Sequence, residues 1–408
     1  MKILIISQYF WPEVCPLNHL AVGLKNKGHE VVVLTGMPNY PGGSFFPGYS
    51  FLSPRKETYS GVKVIRVPTV PRGKNNRLFL MINYLSFAFF ASLLSPLYCK
   101  GRYDLIFNYQ TSPITASLPA VLLKRIKKIP MFLWVQDLWP DSLEALGVVK
   151  NRVFLKFIEK FVRLVYKNSD TILVQSKGFV SSIKKILGDV DKDIYYLPNW
   201  ADDIYCPRNM VDAQKKLDDI PKGFVMLYGG NVGKAQGFDV ILKVMLKLKS
   251  YSELHLVIVG DGSELDWLTK QVALYDLSRC VHLLGRKDQK LMPFYFAASD
   301  ILMVSLKKSP LFGITIASKL QAYLASGKPI LAVLEGIGAD IVREAKAGFV
   351  VTPGDAEQFI DVVERILKIE RKDLEKMGVN GRHYYETNFD YILLLNKLEN
   401  WFLEKCYR

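Results

Sequence analysis

Short apolar runs alternate with amphipathic stretches along the first 200 residues. The runs are continuously hydrophobic, which is typical of parallel strands covered on both faces. The pattern predicts helices that include Leu17–Lys27 and Val153–Lys167, and it predicts strands at Lys2–Ser7, Glu30–Thr35, Lys63–Val67, Leu105–Asn108, Met131–Val135 and Thr171–Gln175. The first half is therefore predicted to be a doubly wound α/β domain.

The alternation restarts after LPNWADD (Leu197–Asp203) and a polar stretch that contains Pro207 and Pro221. A length of 408 residues suits two domains. We expect domains at 1–200 and 201–388 facing each other across a cleft, and a segment 389–408 whose helix, Tyr391–Glu404, returns to the first domain. The strands predicted in the second domain are Phe224–Tyr228, Leu254–Val259, Val281–Leu284, Ile301–Val304 and Pro329–Ala332.

The most apolar segment runs from Leu78 to Cys99, with basic residues on both sides. Its length is close to the roughly 20 residues that span a bilayer. Asn83 and Pro96 within it, and the strand that must follow, argue against spanning. A buried core helix, a partly exposed interfacial helix and a transmembrane helix all stay open.

Charge is distributed unevenly along the chain. The net charge is +15, of which residues 1–200 contribute +14 (26 Lys and Arg, 12 Asp and Glu). No nucleic-acid-binding motif is present, so an anionic membrane surface is the expected partner of the first half. The five cysteines are dispersed, which fits a reducing cytoplasm, and the N-terminus is predicted to be a first strand and not a signal peptide. We expect a cytoplasmic protein attached peripherally to the inner face of the plasma membrane.

Two loops of the first half carry groups that suit sugar hydroxyls. One follows the first strand and reaches Glu13 and Asn18; the other follows Met131–Val135 and contains Gln136 and Asp137. Ligands of doubly wound folds bind at the carboxyl ends of the strands, where both loops are expected to lie.

The second half places glycine-rich loops after its strands. Glycines between a strand and a helix let backbone amides approach phosphate, and a nearby lysine adds charge. The spacing is neither a Walker loop nor GxGxxG. These loops predict a nucleotide-diphosphate site formed by Gly230, Asn231, Lys234, Gly260, Asp261, Gly262, Arg286, Gly313, Ile314, Thr315, Ser318 and Lys319.

The histidines show no metal-ligand spacing, and no Asp-x-Asp pair is present, so we expect neither a metal nor a cofactor. The charge of a leaving diphosphate would then fall to lysine and helix ends. The sequence predicts no particular oligomeric state.

The chain resembles glycosyltransferase family 4 over nearly its whole length. The resemblance rests on MKILIISQYFWPE, GHEVVVLTGMPNYPGG, WVQDLWPDSLEALG, LPNW, YGGNVGKAQG, VGDGSEL, LGRKDQKLMPFYFAASD and SKLQAYLASGKPIL. Within that family the chain is similar to enzymes of O-antigen and colanic-acid-type polysaccharide assembly, including L-fucosamine (N-acetyl-L-fucosamine) transferases.

The resemblance implies the GT-B fold and metal-independent transfer from a nucleotide sugar, with retention, to a polyprenyl-diphosphate-linked saccharide. It implies a sugar over the Phe312–Thr315 amides and a diphosphate at Gly230–Lys234, near Lys319. Asp137 and Glu13 are the candidate catalytic residues, and Asn18 and Gln136 are the candidate acceptor ligands.

The chain departs from the family pattern at three places. Pro310 and Ala322 stand where the family has glutamates, and Asn231 and Gln236 replace an Arg…Lys pair. Gln136 replaces a histidine. A non-catalytic sugar-nucleotide-binding subunit and a GT-B-fold sugar-nucleotide 2-epimerase are the alternatives to a transferase.

Overall fold

The computed structural model describes residues 1–53, 56–74, 76–145 and 151–407. The chain divides into two compact units, Met1–Pro198 with Leu394–Arg408, and Asn199–Leu393. The elements of the first unit, in chain order, are β1 Lys2–Ile6, α1 Pro16–Asn26, β2 Glu30–Gly36, β3 Lys56–Tyr59, β4 Val62–Val67, α2 Arg77–Tyr98, β5 Leu105–Gln110, α3 Leu118–Lys127, β6 Met131–Val135, α4 Asp141–Ala145, α5 Arg152–Asn168, β7 Thr171–Val174, α6 Phe179–Leu187 and β8 Asp193–Tyr196.

The first sheet has the order β3-β4-β2-β1-β5-β6-β7-β8. β3 is antiparallel to β4, and the other neighbours are parallel. The strand order reverses between β1 and β5, which is where doubly wound sheets bind ligands. The sequence analysis missed β3 and β8, because both are short and carry polar residues.

The second unit contains a second doubly wound sheet. Its order is β11-β10-β9-β12-β13-β14, all parallel, and it reverses between β9 and β12. Its elements are α7 Met210–Gln214, β9 Phe224–Gly229, α8 Phe238–Leu248, β10 Leu254–Val259, α9 Leu265–Leu274, β11 Val281–Gly285, α10 Met292–Ala298, β12 Ile301–Ser305, α11 Pro310–Gly313, α12 Ser318–Ala325, β13 Ile330–Val333, α13 Ile337–Glu344, β14 Gly348–Val351, α14 Ala356–Ile366 and α15 Arg371–Asn388. The helix that follows them is α16, Tyr391–Tyr407.

Helix α2 is the apolar segment singled out in the sequence. Asn76 caps its N-terminus by accepting from the amides of Leu78 and Phe79. Its inner face packs on α3 and buries Asn83, which bonds Gln8 and the Val70 carbonyl. The outer face exposes Leu78, Phe79, Met81, Ile82, Leu85, Phe89, Leu93 and Leu97. The fully buried core helix, one of the three alternatives, therefore does not fit.

Helix α16 packs on the first sheet. The ring of Phe402 contacts Phe107 and Phe132, with centroids 5.8 and 4.8 Å away. At the helix surface Glu399 accepts from Lys27 and lies 2.9 Å from His29. These contacts explain why the last residues belong to the first compact unit.

Candidate active site

A cavity of about 520 Å³ lies at the carboxyl ends of β9 and β10 in the second unit. The N-terminal turn of α12 and one side of α10 complete its wall. Seven of the predicted donor-site residues line it, namely Gly230, Asn231, Gly260, Asp261, Arg286, Ser318 and Lys319. The cavity adjoins the reversal between β9 and β12, the expected ligand position in this kind of sheet.

Lys319 is a half-buried cation in the wall of the cavity. Its ammonium lies 4.7 Å from the centre of the Tyr228 ring. Gly230 has a φ of +136°, and a Cβ at this position would overlap the Lys319 side chain, so glycine is required there. Burial lowers the pKa of Lys319 to about 8. A bound anion would raise this pKa again, because it stabilises the charged form of the side chain.

The loop after β9 uses several of its own amides. The amide of Gly230 donates to Val259 O (2.8 Å) and that of Val232 to Asp261 O (2.9 Å). The amide of Gly233 donates to the side chain of Gln236 (2.9 Å). Three of the five amides from Gly230 to Lys234 are thus engaged within the protein, and the phosphate contact through this loop stays a prediction. Side-chain cations are the better candidates for phosphate.

Gly260 and Gly262 let the loops after β9 and β10 pack closely. A Cβ on Gly260 would overlap the carbonyl oxygen of Gly230, and one on Gly262 would overlap that of Val232. Gly260 still lines the cavity, whereas Gly262 is not among its lining residues. Gly262 therefore has a packing role, and its contact with the donor stays a prediction.

Lys234 lies outside the cavity of about 520 Å³, which is the main cavity of the second unit. It is exposed and lines a separate cavity of about 240 Å³ together with Glu264 and Trp267. The structure thus assigns the main cavity's cations to Lys319 and Arg286. Lys287 also lines this cavity, but it pairs with Asp219 at 2.6 Å.

Gly313, Ile314 and Thr315 are also absent from the cavity wall. Their amides donate to the carbonyls of Ser309, Leu311 and Phe312, at 3.0, 3.3 and 3.3 Å. Pro310 begins this short helical turn, α11. The turn satisfies these amides internally, and the prediction that they hold the donor sugar stays a prediction.

Sequence reasoning missed a polar pair in the cavity wall. Gln289 donates to the carboxylate of Asp202 at 3.3 Å, and both side chains line the cavity. Ala322, where the family has a glutamate, lines it as well. Asp202 belongs to the LPNWADD segment, after which the second alternation of strands and helices was predicted to begin. A carboxylate two residues after the LPNW motif was the available signal, but its proximity to the sheet depends on the fold.

In the first unit, Glu13 is a buried carboxylate that holds two loops. One oxygen accepts from the amides of Asn39 and Tyr40, each at 2.7 Å, and the other accepts from Phe10 at 3.3 Å. Burial raises its pKa to about 7. The side chain is 2% exposed and accepts three amides of these loops, so it has a structural role, and its catalytic role toward an acceptor stays a prediction.

Asn18 supports the same loop. Its side-chain oxygen accepts from the amide of Trp11 (3.0 Å), and its nitrogen donates to the Glu13 carbonyl (2.7 Å). The amide group that was predicted to bind the acceptor is therefore engaged in fixing the loop after β1.

Asp137 lies in the half-buried loop after β6. Its carboxylate accepts a hydrogen bond from Ser112, whose hydroxyl also accepts from the indole of Trp139 at 2.8 Å. Gln136, the predicted acceptor ligand, precedes it and is also half-buried. Ser112 was missed by the sequence analysis. Together these groups give the carboxyl edge of β5 and β6 a fixed polar surface.

Further polar side chains are buried beside this edge. Both amide atoms of Asn108, and the side-chain oxygens of Gln110 and Gln175, have no hydrogen-bond partner in the described part of the chain. Such groups are costly unless water or a ligand pairs with them. The sequence signal was available, since Asn108 and Gln110 interrupt the apolar strand β5.

Within the described ranges, no group of three or more His, Cys, Asp or Glu side chains is placed to hold a metal ion.

Comparison with known proteins defines the class. Residues 17–200 match the family described as a glycosyl transferase 4-like domain, and residues 211–384 match glycosyl transferases group 1. The protein is a glycosyltransferase. It carries both of these family domains, one after the other.

Relatives and solved structures agree with this class. The chain is 27% identical over 340 residues to WbjE of Pseudomonas aeruginosa, named a probable glycosyltransferase (80% of this chain, 81% of WbjE). It is 25% identical over 340 residues to WcaI of Escherichia coli, a glycosyl transferase named for colanic acid biosynthesis (80% and 82%).

The fold matches solved GT-B structures. Sucrose-phosphate synthase from Thermosynechococcus elongatus has a TM-score of 0.77 at 17% identity, covering 99% of this chain and 98% of that one. HepE from Anabaena, solved in complex with UDP, has a TM-score of 0.70 at 15% identity, covering 98% and 99%. The predicted α/β GT-B class is confirmed.

Proposed function

We propose that this glycosyltransferase moves a sugar from a nucleotide-sugar donor to a polyprenyl-diphosphate-linked saccharide in O-antigen or exopolysaccharide assembly. The observation that carries the donor half of the proposal is the half-buried Lys319 ammonium in the cavity wall, for which no carboxylate partner occurs among the described residues. A buried cation is costly unless an anion neutralises it. A donor diphosphate in the adjoining cavity supplies that anion.

The cavity suits the rest of a nucleotide sugar as well. Arg286 adds a second cation, and the N-terminal end of α12 adds a favourable field for phosphate. Asp202 and Gln289 offer an acceptor and a donor to hydroxyl groups. HepE, which shares the fold, was solved with UDP, so a uridine diphosphate sugar is the first donor class to test.

We infer a retaining, metal-independent reaction. The bond between the anomeric carbon and the donor phosphate oxygen breaks, and the acceptor oxygen bonds the same face of that carbon. The acceptor proton passes to the departing phosphate oxygen. Lys319 and Arg286 would stabilise the diphosphate charge that develops, as fixed cations do in transfer reactions.

The acceptor would be recognised by the polar edge of the first unit. Asp137 accepts from Ser112 and retains lone pairs for an acceptor hydroxyl. Unpartnered buried groups at Asn108 and Gln110 lie on the strand before it. Two relatives are named for colanic acid biosynthesis and for lipopolysaccharide core biosynthesis, and these names favour a lipid-linked saccharide as the acceptor.

Helix α2 would bring the protein to such an acceptor. Its outer face exposes apolar side chains, and Arg72, Lys74, Lys100 and Arg102 flank it. We propose that this face lies in the interface of an anionic membrane at the cytoplasmic side, without spanning it.

The test is a transfer assay on purified protein. A panel of sugar nucleotides, including UDP-N-acetyl-L-fucosamine, is incubated with a lipid-diphosphate N-acetylglucosamine acceptor, and products are identified by mass spectrometry and their anomeric configuration by NMR. We expect one donor to give a product of retained configuration in the presence of a metal chelator. Tight donor binding without turnover on any acceptor would instead favour a non-catalytic sugar-nucleotide-binding subunit.

A further inference from the structure

Helix α5 carries an outward apolar ridge that the glycosyltransferase fold does not use. Val153 is 79% exposed, Phe157 67% and Leu164 41%. The spacing i, i+4, i+11 places the three side chains within about 40° of arc on a helix. Their ridge lies opposite the buried face, which is formed by Leu155, Ile158, Val162, Val165 and Tyr166. The helix is therefore apolar on two sides, and one of them faces solvent.

Basic residues border this ridge. The helix contains Arg152, Lys156, Lys160, Arg163 and Lys167, all exposed, and one acidic residue, Glu159. Lys156, Lys160 and Lys167 lie along one side of the ridge at helical spacing. An exposed apolar stripe with a cationic border is complementary to an anionic lipid surface.

The position of α5 in the fold agrees with that partner. The connections β4 to β5, β5 to β6 and β6 to β7 all advance in the same direction across the sheet, so right-handed crossovers place α2, α3 and α5 on one face. α3 packs against both α2 and α5. The outward apolar sides of α2 and α5 thus belong to one layer, and both helices begin at the carboxyl edge of the sheet.

We propose that α5 is a second membrane-docking element, whose Val153–Phe157–Leu164 ridge enters the interface of an anionic bilayer beside α2. The proposal rests on the proposed function, since it names the surface that presents the lipid-linked acceptor. Two docking helices fix the orientation of the carboxyl edge of the first sheet toward the bilayer. With one docking helix alone, the domain could still rotate about that helix. The polar edge around Asp137 would then lie near the lipid headgroups.

The test measures binding of the full chain to vesicles of phosphatidylcholine with and without phosphatidylglycerol, by co-sedimentation. The variants are V153S/F157S/L164S and the charge reversal K156E/K160E. Matched controls in the second unit are Leu274→Ser, at an equally exposed apolar residue, and K368E/K376E. Circular dichroism and thermal unfolding verify that each variant is folded, as expected for exposed positions.

We expect both α5 variants to weaken partitioning onto phosphatidylglycerol vesicles at least about tenfold, while the controls bind like the native chain. Unchanged partitioning of both α5 variants would overturn the proposal. The proposal would also be overturned if the α5 variants left the membrane fraction of cells but bound vesicles like the native chain, because that result would indicate a protein partner. Transfer to a short water-soluble acceptor, measured in parallel, reports on the proposed function independently of vesicle binding.

Discussion

The ammonium of Lys319 lies over the ring of Tyr228, 4.7 Å from its centre, and this half-buried lysine lines the main cavity of the second unit. Gly230 allows the arrangement, because a side chain there would overlap the lysine. The aromatic face stabilises the charge partly, and a diphosphate would stabilise it more fully.

Lys319→Ala should weaken donor binding by about 1.5–3 kcal/mol, the range for a charge-assisted contact. Lys234→Ala is the matched control, because Lys234 is exposed and lines a different cavity. We expect it to change donor affinity by less than about 0.5 kcal/mol. Isothermal titration measures both. Equal losses in the two variants would contradict the assignment of Lys319 as the phosphate ligand.

Donor affinity should depend on pH above neutrality. The pKa of Lys319 in the free protein is about 8, because burial disfavours its charged form. Below pH 8 the lysine is already protonated, whereas above it donor binding must take up a proton. Affinity is therefore expected to fall as pH rises through 8. Lys319→Arg keeps its charge at these pH values, so the slope between pH 7.5 and 9 should flatten, and an unchanged slope would exclude Lys319 as its origin.

Asp137→Asn should lower turnover more than donor affinity. The carboxylate is held by Ser112 at the edge of the first sheet, where the acceptor is proposed to bind. Steady-state kinetics, together with donor titration, separates the two effects. Ser112→Ala leaves the carboxylate charged but less well fixed, so it should cause a smaller loss. A variant with native turnover would remove Asp137 from the reaction.

Glu13→Ala should destabilise the protein by about 2–4 kcal/mol, since it leaves the buried amides of Asn39 and Tyr40 without their acceptor. Urea unfolding, with activity normalised to folded protein, measures this. Glu13→Gln keeps one carbonyl acceptor and should cost less. Strong loss of turnover at native stability would restore a catalytic role for Glu13.

Replacing Leu85, Phe89 and Leu93 by Ser should move protein from the membrane to the soluble fraction. These side chains lie on the exposed face of α2 at i, i+4 and i+8, so the fold should tolerate the change. Phe90 is a poorer target because its ring packs on Phe51. An unchanged distribution of folded variant between fractions would defeat α2 docking.

The strands that the sequence predicted best are continuously apolar and buried on both faces. The bounds of β6 and β10 agree with the prediction. Edge strands such as β3, with the sequence KETY, lack that signal because one side meets solvent. Burial on both faces is thus what made most of both sheets predictable.

The candidate site was less predictable because its side chains depend on packing between loops. Glycines after strands indicated where the donor cavity lies, but not that Gly262 serves close packing or that Lys234 points elsewhere. Asp202 is distant in sequence from β9 and reaches the cavity through the fold alone. The burial of Glu13 was not predictable from the sequence, since its amide partners at Asn39 and Tyr40 are 26 and 27 residues away.

Hydrogen–deuterium exchange with and without the donor tests the central claim most directly. A nucleotide sugar bound in the main cavity should protect the segments around residues 229–231, 260–261 and 318–320, and Lys319→Ala should abolish that protection at the same donor concentration. Protection confined to the region around Lys234 and Trp267, or protection that persists in Lys319→Ala, would contradict the account.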